Sequence, residues 1–242
     1  MPSSETYSEN FYSKQRGGSL KSAAVVMPIV LNLVKPKSII DVGCGVGTWL
    51  AAASSMNPEI ELLGIEGEWV RNVPKELDHL RIEFRDLEKP LHVDRYFDLA
   101  MCLEVAEHLS TDRAEALVQD LCRLAPVVFF GAAIPGQGGD DHINEQWQSY
   151  WAALFKQNEY LPYDTVRPKV WCNAEVEYFY RQNPLLYVHE SAAYLVKTIF
   201  PCTMISVIHP ICYATHSRPS PRNLIRKFPG AIGQAIRRRI RL

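Results

Sequence analysis

Three glycines at alternate positions follow a short apolar run that carries an acid. Ser38-Ile39-Ile40-Asp41-Val42 leads into Gly43-Cys44-Gly45-Val46-Gly47. Glycine lets backbone approach a ligand closely and takes φ values that other residues resist. An acid just before such a loop repels a phosphate but suits a ligand bearing a cationic or amine group. A second acid, Glu66, ends the run Glu61-Leu62-Leu63-Gly64-Ile65-Glu66, 19 residues after Gly47. A carboxylate so placed can accept hydrogen bonds from both hydroxyls of a ribose. Further along, the glycine-rich loop from Pro135 to Trp147 gathers Asp140, Asp141, His142, Asn144 and Glu145. A histidine with a near-neutral pKa on such a loop suits proton abstraction. His142 is therefore the first candidate for a general base, with Asp141, Glu145 and His108 as alternatives.

Each residue also has a plainer role. Asp41 could cap the helix after the loop, Glu66 and Asp86 could be solvated strand ends, and Cys102 and Leu103 could be core. His142 could simply fix its loop, and His108 could orient the turn it begins. Asp140, Asp141, His142, Asn144 and Glu145 are also hard donors of the kind that bind magnesium or calcium. Carboxylate-rich loops are usually just solvated, and no metal ligand is assigned.

Elements are needed to hold these groups. Leu20 to Val34 is apolar at nearly every turn and stops before Pro36, so a helix is expected there. Ser38–Val42 has the β-branched character of a parallel strand covered on both faces, and Thr48 onward reads as a helix. Strand, glycine turn and helix together place a ligand at the carboxyl edge of a parallel sheet. Strands are expected over Arg81–Leu87, from Asp98, and over Val127–Ala133. Between the last two lies a helix, Ala114–Leu124, with Thr111-Asp112 as its cap. A helix over about Asn144 to Gln157 would put Trp147, Tyr150 and Trp151 on one face, as core or as a stacking wall for a substrate. The runs Thr165–Trp171, Val176–Tyr180 and Leu185–Val188 suit final strands, antiparallel at one edge.

Asp41-Val42-Gly43-Cys44-Gly45-Val46-Gly47-Thr48-Trp49 resembles the first motif of class I S-adenosylmethionine-dependent methyltransferases. Glu66 stands where these enzymes carry their ribose-binding acid. The loop is G-x-G-x-G, not the G-x-G-x-x-G of dinucleotide oxidoreductases. Arg81 to Leu87 is similar to the family's third strand and Asp-Leu step, and Asp98 to Leu109, with Glu104-Val105-Ala106-Glu107-His108-Leu109, to its fourth strand and following turn. The loop from Pro135 with His142-Ile143-Asn144-Glu145-Gln146-Trp147 looks like a signature of one bacterial subgroup often associated with glycan or secondary-metabolite pathways. Gln15 to Ser19 and a strand at Tyr180 to Asn183 extend that likeness over roughly residues 10 to 190. Departures are Glu66, where many relatives carry Asp, and Asp140-Asp141, where small residues are common.

The resemblance implies an α/β fold, a Rossmann-like seven-stranded, mostly parallel sheet, with S-adenosyl-L-methionine as cofactor and S-adenosyl-L-homocysteine as its product. By position it places Asp41, Gly43, Gly45 and Gly47 at the methionine end, with Cys44 in the same loop. Glu66 goes to the ribose, Asp86 and Leu87 to the adenine, and Cys102, Leu103 and Glu104 to the cofactor-facing end of the fourth strand. It implies methyl transfer to a small-molecule or glycan acceptor, most simply at oxygen, with a loop histidine as general base. The rival reading is a non-catalytic partner or sensor that binds the cofactor or its product. The polar, histidine-bearing loop favours the enzyme.

Composition divides the chain. Its 242 residues carry 26 Lys and Arg against 27 Asp and Glu, a net charge of -1, and 47% are apolar, which excludes collagen-like, disordered and disulfide-scaffold classes. From Ser191 onward there are nine bases and no acid, leaving 17 bases against all 27 acids in the first 190 residues. We therefore expect a catalytic domain over residues 1–190 and a basic C-terminal extension over 191–242. In the extension Ile225, Phe228, Ile232, Ile236 and Ile240 recur at helical steps, interrupted by Pro229-Gly230. Such a segment suits docking on the acidic body, an oligomer contact or an anionic membrane surface, whereas a net-acidic body argues against nucleic acid. Thr198 to Thr215 lacks charged residues but holds Pro201 and Pro210, which disfavours a spanning helix. The six cysteines show no CxxC spacing and the N-terminal stretch has no apolar core. These features point to the cytoplasm, with the inner membrane surface as an alternative station.

Overall fold

The structure, a computed structural model, describes residues 9–196 and 199–217, with side chains from Gly17. The expected amphipathic extension over residues 221–242 and the Gln15-Arg16 side chains lie outside the described residues.

The chain forms two compact units, 1–207 and 208–242. In the first, helix α1 (Glu9–Val34) precedes strand β1 (Ser38–Val42), the glycine turn and helix α2 (Thr48–Met56). Strands β2 (Glu61–Glu66), β3 (Ile82–Phe84) and β4 (Leu99–Leu103) follow, then helix α3 (Ala114–Leu124) and strand β5 (Val127–Gly131). Helix α4 (Gln148–Gln157), strand β6 (Tyr160–Tyr163), two short helices α5 (Arg167–Val170) and α6 (Tyr178–Gln182), and strand β7 (Leu185–His189) complete the unit's regular elements. In the second unit the described residues form helix α7 (Pro210–Ser217). At eight residues it is too short to cross a membrane.

The strand order is β3-β2-β1-β4-β5-β7-β6, seven strands in one sheet. All neighbours are parallel except β7, which runs antiparallel to both β5 and β6. Because successive strand residues face opposite ways, the sheet divides its core cleanly. Ile39, Leu99, Met101, Val127 and Phe129 pack with α1 and α2 on one face. Ile40, Val42, Ala100, Cys102, Val128 and Phe130 pack with α3 and α4 on the other. The segment Gly17–Val34 is long and apolar enough to cross a membrane by length and composition, yet Ala23, Val26, Met27 and Val30 are buried in the sheet core. Its hydrophobicity is accounted for by packing in this fold.

Several local expectations need correction. Thr165–Trp171 and Val176–Tyr180 are not strands; they hold α5, where Pro168 sits in the first turn, and α6. Their apolar residues Val166, Val170, Val176 and Tyr180 are buried against the α1–α2 face. Burial in an irregular segment produces the same short apolar runs as a strand. Tyr180 to Asn183, likewise, is the end of a helix. Helix α4 begins at Gln148, with Trp147 at its N-cap, and its aromatics part company. Trp151 is core at 1% exposure, packed on Phe130, while Trp147 is 40% exposed. They form no stacking wall.

Candidate active site

Strand order reverses between β1 and β4, and parallel α/β sheets bind ligands at the carboxyl ends of such a pair. A cavity of about 520 Å³ lies there, large enough for a nucleoside-sized molecule. The turn after β1 forms one wall. Gly43, Gly45 and Gly47 have φ of 80°, 55° and 88°, the left-handed region that costs other residues. A Cβ on Gly43 would lie 2.3 Å from the Val105 side chain, and one on Gly47 2.2 Å from Leu80. Gly43→Ala is expected to destabilise the fold, since strain and overlap of this kind cost about 1–3 kcal/mol each. Thermal unfolding checks it.

Glu66 closes the turn. Its two oxygens accept from the amides of Gly45 and Gly67, each at 2.7 Å. Lone pairs remain for further donors. Asp41 is buried, and among the described residues its Oδ2 meets no hydrogen-bond partner. Burial, with the nearby Glu66 charge, pushes its carboxyl up to about 8. Burial also raises Glu66, against the pull of its two amides. A cationic group arriving beside Asp41 would relieve that cost.

The β4 side supplies a second wall. Glu104 lines the cavity at a φ of 55°, a strained value for a residue with a side chain. Gln137 and Asn183 donate to its carboxylate at 2.8 and 2.7 Å, and Asn183 also donates to Gln137 at 3.0 Å. This network ties β4 to the loop after β5 and to the residues after α6. Leu103 also lines the cavity, whereas Cys102 does not. Cys102 shares its face with Ala100 in the α3 core, because adjacent strand residues point to opposite sides. Burial pushes its thiol well up. Gly47 shapes the turn without lining the cavity, whereas Cys44 does line it. Asp86 and Leu87 lie on its far wall with Arg85.

Of the four candidates for proton transfer, His108 and Asp141 line the cavity; His142 and Glu145 do not. Glu145 is engaged in holding its loop. Its oxygens accept from the amides of Gly136 and Gly138 at 2.7 Å each, and His142 Nδ1 lies 3.0 Å from Oε1. The His142 ring meets the His108 ring edge-on, with centroids 4.8 Å apart. Burial, then the His142 charge, pushes His108 down to about 4, so it is a neutral imidazole at physiological pH. The direction in which each ring points separates the two histidines, and spacing carries no signal of that. The sequence reading also missed Ser19, Trp69 and Tyr180 on the wall. Tyr180 sits in the segment misread as a strand.

No family model matches the sequence, and no curated protein does. Solved structures do. A sugar N-methyltransferase, KedS8, from Streptoalloteichus superposes with a TM-score of 0.56 at 15% identity, over 75% of this chain and 92% of its own. CalS10, an amino pentose methyltransferase of Micromonospora echinaspora solved with bound S-adenosylmethionine, gives 0.55 at 14% identity, over 76% and 98%. The fold is that of the class I methyltransferases. A third of the kind, magnesium protoporphyrin IX methyltransferase from Synechocystis, also solved with S-adenosylmethionine, gives 0.51 at 17% identity, over 76% and 86%. At such identities the likeness is one of fold.

Proposed function

We propose that the chain is an S-adenosylmethionine-dependent methyltransferase acting on a small-molecule or glycan hydroxyl. The observation that carries this is the cradle at the β1–β4 switch point. An orphaned buried Asp41, a left-handed glycine turn and Glu66 converge on one cavity of about 520 Å³. The residues fit the cofactor. Asp41 and the Gly43–Gly47 turn would take its methionine end, with Glu104 beside them. Glu66 would take the ribose hydroxyls, and Asp86 with Leu87 the adenine. When bound, the cofactor supplies a methyl group on a sulfonium. The protein's part is to set the acceptor in line with it and to exclude water.

The acceptor would enter past His108, Asp141 and Ile143, which line the cavity. The His108–His142 pair is then where the acceptor hydroxyl gives up its proton, with His108 foremost and His142 behind it, steadied by Glu145. This departs from the sequence expectation, which put His142 first and gave His108 the role of orienting its turn, because His108 lines the cavity and His142 does not. Calorimetry should show S-adenosylhomocysteine binding to the full chain, and absence of binding would sink the reading. Across a panel of sugars and phenols, release of S-adenosylhomocysteine identifies the acceptor. With that acceptor, His108→Ala is expected to lower turnover by about 10²–10⁴ while leaving S-adenosylhomocysteine affinity within about threefold. Unchanged turnover would remove the histidine pair from the chemistry.

A further inference from the structure

Next to the cavity, Glu107, His108 and His142 each offer a ligand atom, all within 4.8 Å of one another. Glu107 has 0% exposure. Among the described residues neither of its carboxylate oxygens has a hydrogen bond of good geometry, although Glu104 and the Ala133 amide are near. His108 Nδ1 is also buried without a partner. Three groups that bind metals thus each bring a ligand atom within 4.8 Å of the others, and two of them carry buried atoms that meet no partner of good geometry among the described residues. Buried polar atoms normally find partners, so orphans clustered in this way need an explanation.

The surroundings hold the cluster in place. His142 Nδ1 is paired with Glu145 at 3.0 Å, which leaves Nε2 as the nitrogen free to bind. A carboxylate on the rear nitrogen of an imidazole is the usual way a metal-ligating histidine is oriented. Glu145 is itself fixed by two loop amides. The ring of His142 can occupy its position because residue 139 is glycine: a Cβ there would lie 2.3 Å from Nε2. The two ligand-bearing segments are also stapled together, since the amides of Ile143 and Asn144 donate to the Glu107 carbonyl at 2.9 and 3.0 Å.

We propose that Glu107, His108 and His142 form a divalent transition-metal site at the acceptor end of the cavity. Two imidazoles and one carboxylate favour a cation of the zinc class over magnesium or calcium, and leave a position open for an outside oxygen. This departs from the sequence reading, which assigned no metal and named Asp140, Asp141, His142, Asn144 and Glu145 as possible hard ligands; only His142 is common to both sets. Its role, though not its existence, rests on the methyltransferase reading. A cation there polarises the O–H bond of an acceptor hydroxyl. The proton leaves to solvent at the mouth and the oxygen keeps the electron pair with which it attacks the methyl carbon. The histidine pair then acts on the acceptor proton through the cation. His108→Ala removes a ligand and gives the same loss of turnover.

The test is titration of the full-length chain, stripped with chelator, with cobalt(II) alone. The expected result is a visible d–d absorption band that saturates at one ion per chain and is displaced by zinc. Glu107→Gln and His142→Ala are each expected to abolish the band. Glu145→Gln, one shell further out, is expected to weaken cobalt binding about 10–100-fold. Calorimetry with S-adenosylhomocysteine on the same samples reports whether each variant is folded. Absence of a band in a wild-type chain that binds S-adenosylhomocysteine would overturn the metal site and leave the methyltransferase reading intact. So would a band that Glu107→Gln leaves unchanged in a folded sample. Cobalt binding without S-adenosylhomocysteine binding would keep the site and overturn the methyl-transfer reading.

Discussion

Affinity for S-adenosylhomocysteine is expected to rise about 20-fold between pH 6 and pH 8 and to fall again above it. The first limb comes from Asp41, whose carboxyl is pushed up to about 8 by burial and by the Glu66 charge. If the ligand's ammonium binds the ionised form, only about 1% of chains are competent at pH 6 and about half at pH 8, and binding releases a proton. The second limb comes from the ligand, whose α-amino group titrates near 8. Linkage sets the opposite trend in the free protein. The raised carboxyl contributes stability that is present below about pH 4 and is lost as pH rises through about 8. In that window the folded chain holds a proton that the unfolded chain has released. Bound ligand removes part of this loss. Asp41→Asn is expected to flatten the rising limb and to weaken binding at pH 8 by roughly 15-fold, about 2 kcal/mol for a charge-assisted hydrogen bond less the factor of about two already lost because half the chains are protonated there. Calorimetry in buffers of differing ionisation enthalpy counts the proton released. An affinity independent of pH would show that Asp41 does not meet the ligand's amine.

The site's first half was legible because it is written locally. A left-handed turn needs glycines at fixed positions, so Gly43, Gly45 and Gly47 reveal the turn in one short stretch. Glu66 is found by counting, because a parallel strand pair fixes where the next strand ends; Ile65 lies opposite Val42. The buried strands β1, β4 and β5 read as continuous apolar runs for the reason they are buried, with helices covering both faces. Helix α3 was found to the residue, since one face carries Leu117, Val118, Leu121 and Leu124 and the other is charged.

What stayed hidden depends on contacts between distant segments or on side-chain direction. Glu104 is held by Gln137 and Asn183, 33 and 79 residues away. No local pattern announces that pairing. Cys102 and Leu103 are neighbours in sequence with opposite fates, and only the register of β4 against β5 says which faces the cavity. His108 and His142 differ in the same way. His142 stood out because its loop is polar, whereas His108 follows an apolar strand and looked structural. Glu107 enters the sequence reading only as part of the Glu104–Leu109 motif, with no role of its own, because nothing local to Ala106-Glu107-His108 signals burial. Its complete burial is decided by the loop from Gly136 to Gln146 folding over it.

Loss of Arg113 is expected to cost more stability than any cavity residue, about 3–5 kcal/mol. Arg113 is 4% exposed and faces Asp120, itself buried, across an ion pair. Asp120 also accepts from the Leu91 amide at 3.0 Å and pairs with Arg123, whose side chain is 60% exposed. Arg113→Ala leaves that carboxylate buried with the Leu91 amide and one solvent-screened cation, and a buried charge stripped of its buried counter-charge is the costly outcome. For a chain of this size the melting temperature should fall by about 10 °C, at about 2–4 °C per kcal/mol. Arg113→Met with Asp120→Asn should recover part of the loss, because the arginine's volume is refilled and the amide oxygen still accepts from Leu91. A double variant no more stable than Arg113→Ala would place the cost in the arginine's lost hydrogen bond to the Leu87 carbonyl rather than in packing or charge. The same arginine reaches the site. Its Nε donates to the Leu87 carbonyl at 2.8 Å, and Leu87 lines the cavity beside Asp86. Arg113→Ala should therefore also weaken S-adenosylhomocysteine binding at temperatures where the chain is still folded, and the double variant, which restores the charge balance but not that hydrogen bond, should not repair it.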